Sequence, residues 1–308
     1  MHRGRIVAFI LIGLSIIGTI FVALPRITSP LGSLSTKLRI TTSFYPLYFF
    51  TQAIARDDAT VVNLMPAGAE PHDYEPTPQA IMELERSQMI VVNGELEPWF
   101  TRLRTELAAN GRVLVTTGND LSSKQSVDEG LHGWLSPRLA PLIVERIYVA
   151  MARMDPNHAA QYRSHTDQLL EQLTDLDLEF KRGLQGCQQH SFITAHSAFG
   201  SWAAAYGLTQ IGIAGLSPAD EPSPQALDKL TDFARTQQIK YIFFEALVNP
   251  KFSDTLAREL GVQTLVLNPL EGLTAAELAA GKTYFTEMRQ NLVNLRLALS
   301  CPPLQPIP

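Results

Sequence analysis

Residues 155–186 read DPNHAAQYRSHTDQLLEQLTDLDLEFKRGLQG, and their apolar positions decide the architecture. Tyr162, Thr166, Leu169, Leu173, Leu176, Phe180 and Leu184 recur at intervals of three and four. That spacing lines up side chains on one face of an α-helix. Pro156 stands where a first-turn proline belongs, Asp155 is the candidate cap, and Gly186 ends the run. At about 1.5 Å per residue, roughly thirty residues make a helix of about 45 Å, enough to run across two domains and fix their orientation. A coiled-coil seam is the alternative, but the segments on either side fit an interdomain strut better.

Outward from this helix, short apolar runs alternate with helical ones. Before it, strands are expected at Leu38–Thr42, Ala59–Leu64, Met89–Val92 and Arg112–Val115, with helices at Leu47–Ala55 and Pro78–Ser87. After it come strands at Ser191–Thr194, Gln210–Ile213, Tyr241–Phe244 and Thr264–Leu267. Helices are expected at Ala198–Tyr206, Pro224–Gln237, Phe252–Leu260 and Tyr284–Leu299. This succession predicts an α/β protein of two lobes, each a mostly parallel sheet flanked by helices, joined by one long rigid helix. The expected divisions are 37–154 for the first lobe, 155–186 for the linking helix and 187–308 for the second lobe.

The chain has 308 residues, 45% hydrophobic and 18% charged, with a net charge of −5 and no basic stripe, so a nucleic-acid partner is not expected. Residues 1–36 read differently. Arg3 and Arg5 precede Ile6–Leu24, a run without a single charge, which reads as a secretory signal or an uncleaved membrane anchor. Pro25–Lys37 then reads as a linker. Phe21-Val22-Ala23 is a poor cleavage site and Ser33-Leu34-Ser35 a distant one, and the segment has no cysteine to carry a lipid. A periplasmic or other extracytoplasmic location follows, with membrane attachment if the segment is retained. The only cysteines, Cys187 and Cys301, are expected to form a disulfide in an oxidising compartment, two buried thiols being the alternative.

Three histidines stand in unusual local contexts: His72 in Pro-His-Asp-Tyr, His132 in His-Gly-Trp-Leu-Ser-Pro and His196 in Thr-Ala-His-Ser. Glu271 follows in Leu-Asn-Pro-Leu-Glu-Gly-Leu. Intervals of 60, 64 and 75 residues put each in its own structural unit, so the fold itself would have to assemble them. Imidazole nitrogens with one carboxylate oxygen suit a borderline-soft divalent ion such as zinc. His196 and Glu271 follow apolar segments, and the carboxyl ends of strands are where open α/β sheets bind ligands. His72 sits in a loop, and His132 precedes a helix opening near Pro137.

Six segments extend this reading: GAEPHDYEPTP at 68–78, NGELEPW at 93–99, HGWLSP at 132–137, TAHSAF at 194–199, DEPSP at 220–224 and LNPLEGLT at 267–274. Together they resemble the zinc- and manganese-specific solute-binding proteins of ABC transporters, over nearly all of Leu38–Leu299. The resemblance implies two lobes joined by a rigid helix with the metal between them. It maps the ligands onto His72, His132, His196 and Glu271, and it implies zinc as cargo (manganese being possible), an ABC permease as partner and no enzymatic activity. A monomer is expected. Three features depart from the family pattern. Gly118–Leu131 is short and has no histidine, Gly130-Leu131 replaces Asp-Pro before His132, and the N-terminal cysteine is missing.

Alternatives stay open at this point. Water or Glu70 could take the fourth position, and Glu245 is either a rival ligand or a hydrogen-bond partner of a ligand histidine. A secreted zinc hydrolase with three histidines, water and Glu70 or Asp73 as base is the rival class, though no His-Glu-x-x-His motif is present. An adhesion or signalling role is a third. His158, His165 and His190 read as solvated, and Trp99, Trp134 and Trp202 as packing.

Overall fold

The computed structural model describes residues 37–118, 131–215, 218, 222–245, 247 and 251–304. Residues 1–36, most of the loop 118–131 and part of the Asp-Glu-Pro motif at 220–222 lie outside the described residues. Among the described residues no helix is long and apolar enough to cross a membrane.

Two four-stranded parallel sheets are present. β1 (Leu38–Thr42), β2 (Ala59–Asn63), β3 (Met89–Val92) and β4 (Val113–Thr116) form the first, in the order β2-β1-β3-β4. β5 (Ser191–Thr194), β6 (Thr209–Gly212), β7 (Tyr241–Phe244) and β8 (Gln263–Val266) form the second, in the order β6-β5-β7-β8. Each order reverses direction beside its first strand, which opens a crevice at the carboxyl ends of the strands.

The central strands are buried on both faces, and their side chains feed separate cores. Met89 and Val91 join the large core that includes the long helix, while Ile90 and Val92 point into a second core with Leu84, Trp99 and Phe100. The second sheet repeats the arrangement: Phe192 and Phe243 face the shared core, Ile193 and Ile242 a third core with Leu230 and Leu256. One continuous apolar cluster therefore links both sheets through the strut.

The strut is the helix Ala159–Gly183, and it buries the predicted stripe Tyr162, Thr166, Leu169, Leu173, Leu176 and Phe180 together with Gly183. At 25 residues it spans about 37 Å, shorter than the sequence predicts. Pro156–His158 forms a tighter 3-10 turn in front of it, and Asp155 makes no cap there. The Asp155 carboxylate instead accepts from His158 Nδ1 at 2.7 Å and from the Tyr162 hydroxyl at 3.0 Å. His165, expected in solvent, bonds through Nδ1 to the Ile54 carbonyl at 2.9 Å and ties the strut to the first sheet's opening helix. Arg289 of the last helix, Tyr284–Ala298, grips Glu179 from the other side at 2.9 Å. Cys187 and Cys301 are joined, across a separation of 114 residues.

Two helices escape the sequence reading, and a third, expected near Pro137, starts three residues later. Pro98–Ala109 and Ala275–Ala279 were not anticipated, and the helix after His132 begins at Ala140, behind a 3-10 turn at Gly133–Leu135. Pro98–Ala109 has a weak stripe, with only Trp99, Phe100 and Leu107 buried. The first helix starts at Tyr45, two residues early, because Pro46 is tolerated in a first turn.

Candidate metal centre

His72, His132, His196 and Glu271 converge in the crevice between the sheets. One ligand-type atom from each lies within 4.8 Å of all the others. Among the described residues they form the one cluster of three or more such side chains. The convergence is on a single oxygen. Glu271 Oε1 lies 3.3 Å from His72 Nε2, 3.1 Å from His132 Nε2 and 3.5 Å from His196 Nε2. The three ring centroids stand 5.4 to 5.8 Å apart, a near-equilateral frame around it.

Each side chain has its own support. His196 stands two residues beyond β5; its backbone N–H and its Nδ1 both meet Glu245 Oε1, at 3.1 and 2.7 Å. Glu245 thus orients the ring as the second partner of an imidazole, with Nε2 aimed inward. Glu271 is delivered by the turn after β8. Leu270, at φ 58, is in the left-handed region, a conformation costing a non-glycine residue about 1–3 kcal/mol. Asn268 Oδ1 accepts from Leu270 N–H at 2.8 Å and holds that turn. Asn291 in turn clamps Asn268, accepting from its N–H at 2.8 Å and donating to its carbonyl at 2.7 Å.

His132 follows Leu131, whose carbonyl accepts from Asn93 Nδ2 at 2.9 Å. Glu97 holds Asn93 in place, accepting from its backbone N–H at 2.9 Å, from Gly94 N–H at 2.7 Å and from the Ser43 hydroxyl. The Asn-Gly-Glu-Leu-Glu motif is therefore the seat of the His132 loop. His72 is held more loosely, on the turn after β2, with its N–H donating to Glu70 Oε1 at 3.3 Å.

The electrostatics follow from burial and mutual charge. Burial pulls His132 below the ordinary histidine value and outweighs its bond to Glu271. Burial opposes the charged form of His196 too, yet the Glu271 charge and the bond to Glu245 prevail, and its pKa rises to about 10. For Glu271 burial favours the neutral acid, but the His196 charge and the imidazole bonds hold its carboxyl well below the usual range. The proton of this pair therefore sits on His196. Burial, then the Glu271 charge, lifts Glu70 to about 8.

His196 Nε2, Glu271 Oε2, Glu245 Oε2 and Glu70 Oε2 are buried without hydrogen-bond partners. Such orphans are uncommon in folded proteins, and four carboxylate and imidazole atoms in one crevice are a place that could hold a cation. Asp73, a candidate base in the hydrolase reading, is exposed. Trp99, Trp134 and Trp202 are all buried packing residues, but Trp134 does more: its indole N–H donates to the Pro269 carbonyl at 2.8 Å. Nothing in its sequence context signals that bond.

Two parallel sheets, a connecting helix and a histidine-carboxylate cluster between them define a two-lobed metal-site protein. The chain matches the family model described as zinc-uptake complex component A, periplasmic, over residues 40–298, and it belongs to that family. It is 37% identical over 280 residues to the high-affinity zinc uptake system protein ZnuA of Bacillus subtilis, covering 85% of this chain and 88% of the relative. With the zinc-binding protein AdcA of Streptococcus pyogenes serotype M1 it shares 36% identity, but spans only 56% of that longer protein. The Zn(II)-bound ZnuA-like domain of Streptococcus pneumoniae AdcA superposes with a TM-score of 0.75 at 36% identity, covering 85% of this chain and 99% of that one.

Proposed function

We propose that this protein captures zinc outside the cytoplasm and delivers it to an ABC permease. His72, His132, His196 and Glu271 are the ligands in this reading. The observation that carries it is the meeting of three imidazole Nε2 atoms on one buried carboxylate oxygen, within 3.1 to 3.5 Å. Three nitrogens and one oxygen make a four-coordinate set suited to zinc, whereas manganese prefers more oxygen ligands and stands at the weak end of the divalent affinity order. The names of the relatives, zinc uptake and zinc binding, agree with that choice.

An ion at the centre displaces the proton on His196 Nε2, while Nδ1–H stays on Glu245 and keeps the ring aimed. Four protein donors close a tetrahedral site and leave no open position for catalysis, which favours capture over hydrolysis. His72, on its loop, is the gate side of the site. The lobes divide at 37–154, 155–186 and 187–308 in this proposal, the protein acts as a monomer, and the segment 1–36 directs export or anchors the chain.

Metal analysis of the purified protein, with zinc and manganese competition against a chromophoric chelator, tests the assignment. One zinc per chain, bound more tightly than manganese and lost in His196→Ala, is the expected result. Unimpaired zinc binding by His196→Ala would overturn it.

A further inference from the structure

His132 and Glu271 are 139 residues apart in sequence, but a much shorter path joins them through one hydrogen bond. From His132 the chain passes Gly133 to Trp134, whose indole N–H donates to the Pro269 carbonyl at 2.8 Å, and Glu271 lies two residues further on. The grip is doubled, because the Tyr284 hydroxyl, from the last helix, donates to the Trp134 carbonyl at 2.6 Å. Trp134, Leu270 and Tyr284 are fully buried. Trp134 is also fixed from the first sheet: its ring meets Phe44 edge-on at 4.9 Å, and lies 5.2 Å from the His132 ring. The indole N–H groups of Trp99 and Trp202, by contrast, have no partner. Packing alone does not require the bond that Trp134 makes.

We propose that Trp134 is a positioning residue that staples the His132 loop to the Glu271 loop and so sets the spacing of ligands from opposite lobes before zinc arrives. The inference rests on the zinc reading above. A site assembled in advance spends less of its binding free energy on ordering its own loops, so loss of the staple weakens binding without removing a ligand.

The test compares Trp134→Phe, Tyr284→Phe and Trp202→Phe in the full chain, by zinc competition at one pH and by melting in chelator. Tyr284→Phe removes one oxygen and leaves the packing in place, so it separates hydrogen bonding from packing. Trp202→Phe is the control for losing a buried indole whose N–H is unpaired. Trp134→Phe and Tyr284→Phe should each weaken zinc binding about three- to tenfold, the range one net hydrogen bond supplies. Trp202→Phe should leave affinity unchanged, whatever it does to the melting temperature of the chelated protein.

Affinity losses no larger in Trp134→Phe than in Trp202→Phe overturn the staple. Should Trp134→Phe fail to fold, Tyr284→Phe decides alone, and unchanged zinc affinity there has the same consequence. His196→Ala separates the two ideas: if it still binds zinc fully, the site assignment and the staple both fall. If it loses zinc while Tyr284→Phe and Trp134→Phe do not, only the staple falls.

Discussion

His72, in the first half of the molecule, makes one ring hydrogen bond, to Glu271, and keeps 11% of its side chain exposed. His196, in the second half, is fully buried and bonded to Glu245 through both its backbone and its ring. Glu271 is held by a turn that Asn268 braces from within and Asn291 clamps from the last helix. The same strand order thus carries two kinds of support. The second half ties His196 and Glu271 down through several buried hydrogen bonds, whereas the first leaves His72 with few. His132 stands between the two, seated by Asn93 on one side and by Trp134 on the other.

The largest expected effect tests the rigidity of the second half. The Cys187–Cys301 disulfide closes a loop with a sequence separation of 114, and reduction should cost about 4–5 kcal/mol of stability in the chain-entropy account. Denaturant unfolding with and without reductant measures it. Hydrogen exchange should quicken more across 187–301 than across 37–118, and equal quickening would break the contrast between the halves.

Next come the ligands themselves. His196→Ala should weaken zinc binding by more than about a hundredfold, beyond the range expected for loss of an outer partner. His72→Ala should cost less. Competition titrations in which His72→Ala matches or exceeds His196→Ala would remove the distinction between the two kinds of support. Glu245→Gln, which keeps the shape but not the charge of the His196 partner, should cost about tenfold. An affinity equal to wild type would mean that Glu245 is only packing.

The smallest effect is read in protons. With its pKa raised to about 10, His196 holds a proton at neutral pH, whereas His132, lowered by burial, does not. Zinc binding near pH 7 should therefore release at least about one proton, measured by calorimetry in buffers of different ionisation enthalpy. The sign also fixes the metal-free stability. A raised histidine pKa stabilises the fold fully below the unfolded value of about 6.5, and that contribution disappears as pH rises through about 10. Metal-free protein should melt lower at pH 10 than at pH 7, with the difference suppressed by zinc. No release of protons would place the proton elsewhere than on His196.

All eight strands were legible in the sequence, within two residues at every end, because each is an apolar run bounded by turn residues. The stripe of the long helix was legible for the same kind of reason: a period of three and four has one geometric solution. Pro98–Ala109 was not, because only Trp99, Phe100 and Leu107 are buried, too few to make a stripe. Asp155 was misread as a cap, since a 3-10 turn intervenes and its carboxylate serves His158 and Tyr162 instead.

The sequence by itself determined the α/β alternation and the connecting helix, and it singled out His72, His132, His196 and Glu271, the side chains that converge. Local spacing and motif chemistry encode these directly. Only the tertiary structure decided that three Nε2 atoms share one Glu271 oxygen, that Glu245 orients His196 rather than competing with it, and that Trp134 bridges to Pro269. Each of those depends on a distance between residues 49 to 199 positions apart, and such distances are fixed by how two sheets pack on one helix, for which no local pattern in the chain is a record.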